Sequence, residues 1–263
     1  MTVDLRTACL AMLREIRIES LDAVHLGNEE FRGVAHHVIP WLQGEIYKMF
    51  FCAMTSTRNP GPVSLFMTAL SEANIGGVRW PKESFSDQPG SYLAFGPKEP
   101  PGTKWLRIYW NVTPLGATIV TASASAILNR ALVPFRLKVL LDTSIRRRDA
   151  AVLYVPMIAW EAARPVVNEV AAKLRDTCDL QPETPLFAKT IAPGIGVAED
   201  PHTGISFGLH RSWLVARSLV KSFLANEENE EQRWRNLGAE FAKDGLSIDR
   251  PYLNAGSIDV YEF

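Results

Sequence analysis

Residues Lys104–Val112, KWLRIYWNV, decide how the chain is read. Leu106, Ile108 and Trp110 fall on one side of an extended chain, and Arg107, Tyr109 and Asn111 on the other. That two-residue period is the mark of a β-strand. Pro134–Leu141, PFRLKVLL, repeats it, with Phe135, Leu137 and Val139 facing one way and Arg136 and Lys138 the other. After a loop of Asp, Thr, Ser and Arg residues, Ala150–Pro156 reads as a third strand. Pro114 opens a helix between the first two strands, running to about Leu132, and a second helix spans about Ala159 to Thr177.

Outward from this centre the pattern is coarser. Residues 3–18 place Val3, Leu5, Cys9, Leu10, Met12, Leu13 and Ile16 at helical spacing, and 29–55 form a helical or mixed region rich in aromatics. The segment 58–101 holds many prolines and glycines and reads as irregular structure with short strands. Pro182–Asp200 reads as a loop, and about Leu209–Lys243 as helix, interrupted near Glu227–Glu231. No repeat, low-complexity tract or clean linker divides the chain. The expectation is a single α+β domain over residues 1–263, with a helical N-terminal region and helices packed on a small mixed or antiparallel sheet.

Composition narrows the function classes. The 263 residues carry 28 Lys and Arg against 29 Asp and Glu, with 47% hydrophobic residues. This is the composition of an ordinary globular protein, not of a disordered chain or a generally basic nucleic-acid binder. Three scattered cysteines make neither a disulfide framework nor a metal-ligand spacing, so reduced thiols in a cytoplasmic protein are expected. The N-terminus breaks its apolar residues with Asp4, Arg6, Arg14 and Glu15, unlike a signal peptide. The uncharged stretch from Ile108 to Asn129 changes pattern midway and contains Pro114 and Gly116, so it reads as strand, turn and helix rather than a membrane span. Neither nucleic acid nor membrane is an expected partner.

The charge is localised. Between Lys104 and Arg148 stand eight cations and a single acid, Asp142, whereas the segment from Asn226 onward is acidic. A cationic middle in a neutral chain suggests a local anion site. On neighbouring strands, Arg107, Tyr109, Arg136 and Lys138 would converge. Guanidinium groups bind phosphate through paired hydrogen bonds, and like-charge repulsion makes a lysine among them easier to deprotonate. The plainer alternative is an amphipathic sheet with a wet outer face.

Several motif matches carry nothing. Gly204–Gly208, GISFG, fits a nucleophile-elbow pattern, but only His210 follows Ser206 and no acid lies between them. Gly194-Ile195-Gly196 lacks the third glycine of a dinucleotide loop, and no phosphate-binding P-loop or HExxH motif is present. The segment Ser206–Leu219, SFGLHRSWLVARSL, differs: Ser206 can cap a helix whose first turn holds His210 and Arg211, a setting that suits an anion.

The ordered blocks RIYWNVTP, PFRLKVL, RRRDAAVLYVP, PGIGVAEDP and SFGLHRSWLVA resemble the HopA1-like family, named after a bacterial type III effector. The resemblance covers about Lys104 to Ala225 and departs from the family pattern at Leu209 and Ser212, where Gln and Cys are more usual. Relatives in clusters making lanthipeptides and thioamitides are regarded as lyases. A kinase-like partner phosphorylates Ser or Thr of a precursor peptide, and the lyase eliminates phosphate to leave dehydroalanine or dehydrobutyrine. This chain has no kinase motif of its own.

The resemblance therefore implies a free-standing phosphoserine/phosphothreonine lyase, with a phosphorylated precursor peptide and a kinase-like protein as partners. Neither metal nor cofactor is called for, because arginines can neutralise the dianion. In that chemistry Lys138 is the base, His210 the proton donor, and Arg107, Arg136, Arg148 and Arg211 the phosphate ligands. Tyr109 is a donor to the substrate, and Asn111 belongs to the same hydrogen-bonding face. Arg148 stands out in the Arg146–Arg148 run because it adjoins the third strand. A non-catalytic phosphopeptide-binding effector, or a scaffold for a kinase-like partner, would use the same cations without base or acid.

Overall fold

The computed structural model describes residues 4–56, 82–84, 90–141 and 145–262. In chain order the principal elements are α1 (Leu5–Arg14), β1 (Ile16–Ser20), β2 (Ala23–Leu26), β3 (Glu29–Arg32), α2 (Val38–Ile46), β4 (Thr55–Ser56), β5 (Lys82–Ser84), β6 (Ser91–Phe95) and β7 (Trp105–Trp110). There follow α3 (Pro114–Arg130), β8 (Arg136–Leu140), β9 (Ile145–Arg146), β10 (Ala151–Pro156), α4 (Trp160–Asp176), β11 (Lys189–Ala192), β12 (Ile195–Glu199), α5 (Phe207–Leu224) and α6 (Glu230–Lys243). The architecture is α+β, as expected. The chain forms two compact units, one from 1–53 with 201–259 and the other from 54–200 with 260–263. Both are discontinuous in sequence, which is why no linker is legible.

The middle unit is built on seven antiparallel strands in the order β11-β12-β7-β10-β8-β6-β5. The sheet is thus larger than the small one expected. One reason is the segment Pro182–Asp200, which was expected as a loop but contains the hairpin β11–β12. Its turn is Pro193-Gly194, with Gly194 at φ +74°, the left-handed region that a Pro-Gly turn requires. A Cβ on Gly194 would also lie 2.1 Å from the carbonyl oxygen of Gln181. Every residue of β12 is buried, so the strand shows no alternation and is hidden from a period-two search.

One face of this sheet is fully buried: Leu106, Ile108 and Trp110 of β7, Leu137 and Val139 of β8, and Ala151, Leu153 and Val155 of β10. Helices α3 and α4 pack on each other and reach β8 and β10. The small residues Ala117, Ala124 and Ser125 of α3 are buried, and a Cβ on Gly116 would lie 2.9 Å from Asp179. Thr113 caps α3 by accepting from Gly116 N at 3.1 Å, and Pro114 takes the first helical position, where no amide hydrogen is needed. Tyr261 fastens the layers: its ring stands edge-on to Trp160 of α4 at 5.7 Å, and its hydroxyl donates to buried Glu199 of β12 at 2.8 Å.

The other unit combines α1, α2, α5 and α6 with the antiparallel sheet β1–β2–β3. Helix α1 therefore stops at Arg14, short of the expected residue 18, and Ile16–Ser20 is strand. The Gly27-Asn28 pair between β2 and β3 is a hairpin signal, and Gly27 has φ +56°. Arg233 of α6 donates to the carbonyls of Leu13 and Ile16 at 2.9 and 2.8 Å, closing the open end of α1. No described helix is long and apolar enough to cross a membrane.

Candidate functional site

The second face of the seven-stranded sheet carries the residues read from the sequence. Arg107 and Arg136 are both paired with Tyr154 of β10, one from each side. Tyr109 and Lys138 are likewise both paired with Val152. All four therefore point to one face, as the alternation predicts. Their strands are not neighbours, however: β10 lies between β7 and β8. A third strand was inserted because β10 pairs back between two strands that precede it in the chain, an order that local pattern does not encode.

The side chains lean together across that central strand. The Arg136 guanidinium sits over the ring of Trp105, on β7, at 4.7 Å. Arg107 sits over the ring of Tyr154 at 5.0 Å. Cation–π contact of this kind fixes a guanidinium plane while leaving its N–H edge available to an oxygen ligand. In the free protein those edges hold carboxylates. Arg107 donates from Nε to Asp200 Oδ1 at 2.6 Å, and Arg136 is paired through Nη2 with Glu99 Oε1. Nearby, Arg147 grips Asp149 with two bonds of 2.8 Å.

Burial separates these pairs. The side chains of Arg107 and Asp200 are 11% and 20% exposed, whereas Arg136 and Glu99 are 45% and 32% exposed. Burial alone would disfavour the Arg107 charge, but Tyr109, Tyr154 and Asp200 outweigh it and hold the group cationic. Burial pushes the Tyr109 phenol up, against the opposing charge of Arg107, so the hydroxyl stays protonated and can donate. Tyr154 is raised by burial in the same way. Glu99, hydrogen-bonded to Arg136 and close to Lys98, is held below the ordinary carboxylate value.

The remaining candidates are placed as follows. Lys138 is half-buried on β8, paired with Val152 on one side and Leu93 of β6 on the other, both apolar. Arg148 is half-buried in the turn before β10. Asn111 follows β7, and its amide donates to Glu183 O at 3.0 Å, so this side chain is committed to the 179–194 loop rather than to the cationic face. His210 and Arg211 belong to the other unit.

There Ser206 caps α5 as expected, accepting from Leu209 N at 3.3 Å. Arg211 is fully buried and donates to Pro251 O at 2.8 Å, Leu253 O at 3.2 Å and His210 Nδ1 at 2.7 Å. Its guanidinium also lies over the Phe207 ring at 4.8 Å. This geometry makes Arg211 an internal strut, a role that a phosphate ligand at an exposed helix end would not have. Because arginine only donates, His210 Nδ1 is the acceptor, and the ring proton sits on Nε2, 3.6 Å from Asp244 Oδ2. Burial, aided by the Arg211 charge, lowers the His210 pKa.

Sequence reasoning missed Trp105, Tyr154, Glu99 and Asp200. Tyr154 was legible in principle, since AVLYV alternates in step with RIYW. The two acids were not, because they come from loops whose approach depends on strand order. Among the described residues, no cluster of three or more His, Cys, Asp or Glu side chains could hold a metal ion.

The pattern of the HopA1 effector protein family matches residues 83–253. Two solved structures share the fold. The effector protein from Pseudomonas syringae pv. tomato strain DC3000 is 15% identical, with a TM-score of 0.58 over 84% of this chain and 95% of that one. The effector protein from Pseudomonas syringae pv. syringae strain 61 is 15% identical, with a TM-score of 0.53 over 84% and 97%. At that identity the likeness is one of fold. No curated protein matches the chain by sequence. The matched stretch contains the whole cationic sheet face with its carboxylate partners, and the chain belongs to the HopA1 effector protein family.

Proposed function

We propose that this protein is a phosphoserine/phosphothreonine lyase acting on a precursor peptide that a separate kinase-like protein has phosphorylated. The observation that supports this reading is the placement of Lys138 and Arg136 two residues apart on one strand, beside Arg107 and Tyr109 across β10. Side chains at i and i+2 stand about 6.6 Å apart along a strand. That spacing suits a ligand whose α-carbon faces the amine while its phosphate faces the guanidinium.

In the step proposed, Lys138 acts as the base and takes the α-proton, the electron pair forms the Cα–Cβ double bond, and the Cβ–O bond breaks with its pair leaving on phosphate, which picks up a proton from water and departs as hydrogen phosphate. Arg136 and Arg148 hold the dianion, with the buried Arg107 charge behind them. Tyr109, protonated, supplies a donor to the enolate oxygen. The chemistry as written calls on no metal ion.

The test is loss of phosphoric acid from a phosphothreonine peptide, followed by mass spectrometry in the presence of EDTA. Turnover that needs added zinc or magnesium would overturn the mechanism. A second reading, a non-catalytic phosphopeptide-binding effector or scaffold, draws on the solved structures of like fold being effector proteins. A binder holds the phosphopeptide and releases it unchanged.

A further inference from the structure

Of the three arginine–carboxylate pairs described above, one is built to open. Arg107–Asp200 and Arg147–Asp149 are largely buried, and removing a carboxylate from either would strand a desolvated charge. Arg136–Glu99 is half open to water, where an ion pair contributes little. Yet neither partner is loosely placed. The Arg136 guanidinium lies over the Trp105 ring, 4.7 Å from its centre. Glu99 stands between Pro97 and Pro100-Pro101, in a loop tied to the sheet by Gly96 N donating to Phe135 O at 2.9 Å. A residue before proline is confined to extended backbone, so the main chain that carries the carboxylate has little conformational freedom.

We infer that Glu99 is an internal placeholder for phosphate: it occupies the Arg136 guanidinium in the free protein and yields it only to a ligand of higher charge. The inference rests on the phosphate-binding reading of this face. A phosphomonoester carries about −1.5 to −2 at neutral pH, against −1 for a carboxylate, and offers three acceptor oxygens rather than two. It can therefore displace Glu99, whereas an Asp or Glu side chain of a peptide competes on equal terms with a tethered rival and loses. Glu99 would so act as a specificity-determining residue that rejects unphosphorylated acidic peptides.

The test is a binding titration of wild-type protein, Glu99→Gln, Arg136→Ala and the double variant, with a phosphothreonine peptide and its Thr→Glu analogue. Expected are about 5- to 10-fold tighter phosphopeptide binding by Glu99→Gln, a larger gain for the Glu analogue, and no gain when Arg136 is also replaced. Glu99→Ala serves as a second variant, and thermal unfolding shows whether each is folded. Equal or weaker binding by both Glu99 variants overturns the placeholder, and continued turnover would leave the lyase reading standing. Tighter binding without turnover in any variant supports the placeholder and sinks the lyase.

Discussion

Lys138 and Tyr109 face the same residue, Val152, from opposite sides of β10. Their strands are two spacings apart, about 9.6 Å; the Tyr109 side chain is buried and Lys138 is half-buried. The proposed base and the proposed hydrogen-bond donor thus share one row of the sheet, and Arg136 and Arg107 share the next row through Tyr154.

Lys138→Ala is expected to lower the elimination rate about 10²- to 10⁴-fold, the usual cost of losing a general base. Phosphopeptide affinity should fall far less, since guanidinium groups supply most of the charge-assisted hydrogen bonds. Arg136→Ala should weaken binding and turnover together. Mass spectrometry of a phosphothreonine peptide, paired with a titration, separates the two outcomes. Near wild-type turnover by Lys138→Ala would remove it from the role of base.

Asp200→Asn leaves Arg107 largely buried without a compensating charge. Unfolding free energy in urea should drop by about 3 kcal/mol. Replacing both residues with apolar side chains, Arg107→Met with Asp200→Leu, should recover much of that loss. If the single variant is as stable as wild type, the pair is more solvated than its burial implies.

Arg211→Lys keeps a charge but cannot reach His210, Pro251 and Leu253 at once. Stranding buried carbonyls should cost about 2–4 kcal/mol in denaturant unfolding. Phosphopeptide affinity, measured where the variant is folded, should stay unchanged. Weakened affinity would return Arg211 to the phosphate ligands.

His210 supplies a pH signature. Its pKa in the fold lies below the ordinary value of 6.5, so the unfolded chain binds the proton first. The stability due to this depression is complete above pH 6.5 and is lost as pH falls through the folded-state value. His210→Asn keeps an acceptor for Arg211 and does not titrate. Denaturation midpoints of wild type should therefore fall relative to this variant between about pH 7 and pH 5. Parallel curves would show that His210 is no more buried than an ordinary surface histidine.

The order of strand, helix, strand, strand and helix from Lys104 to Thr177 could be read directly, because each element alternates or repeats on its own period and is punctuated by Pro114 and Pro134. The shared face of Arg107, Tyr109, Arg136 and Lys138 was legible for the same reason: the side a strand residue points to is a local property. The hairpins at Gly27-Asn28 and Pro193-Gly194 were written in their turn residues but masked, one by helical periodicity carrying on from α1, the other by a strand buried on both faces.

What alternation by itself determined is the division of the sheet into an apolar face and a cationic one, since steric geometry alone sends successive side chains to opposite sides. Only the tertiary structure decided that β10 separates β7 from β8, that Glu99 and Asp200 meet the arginines, and that Arg211 is buried against two carbonyls. Strand order and loop approach are settled by the packing of the unit as a whole, in which α3 reaches β8 and α4 reaches β10. That is a global free-energy balance, and no window of neighbouring residues contains it.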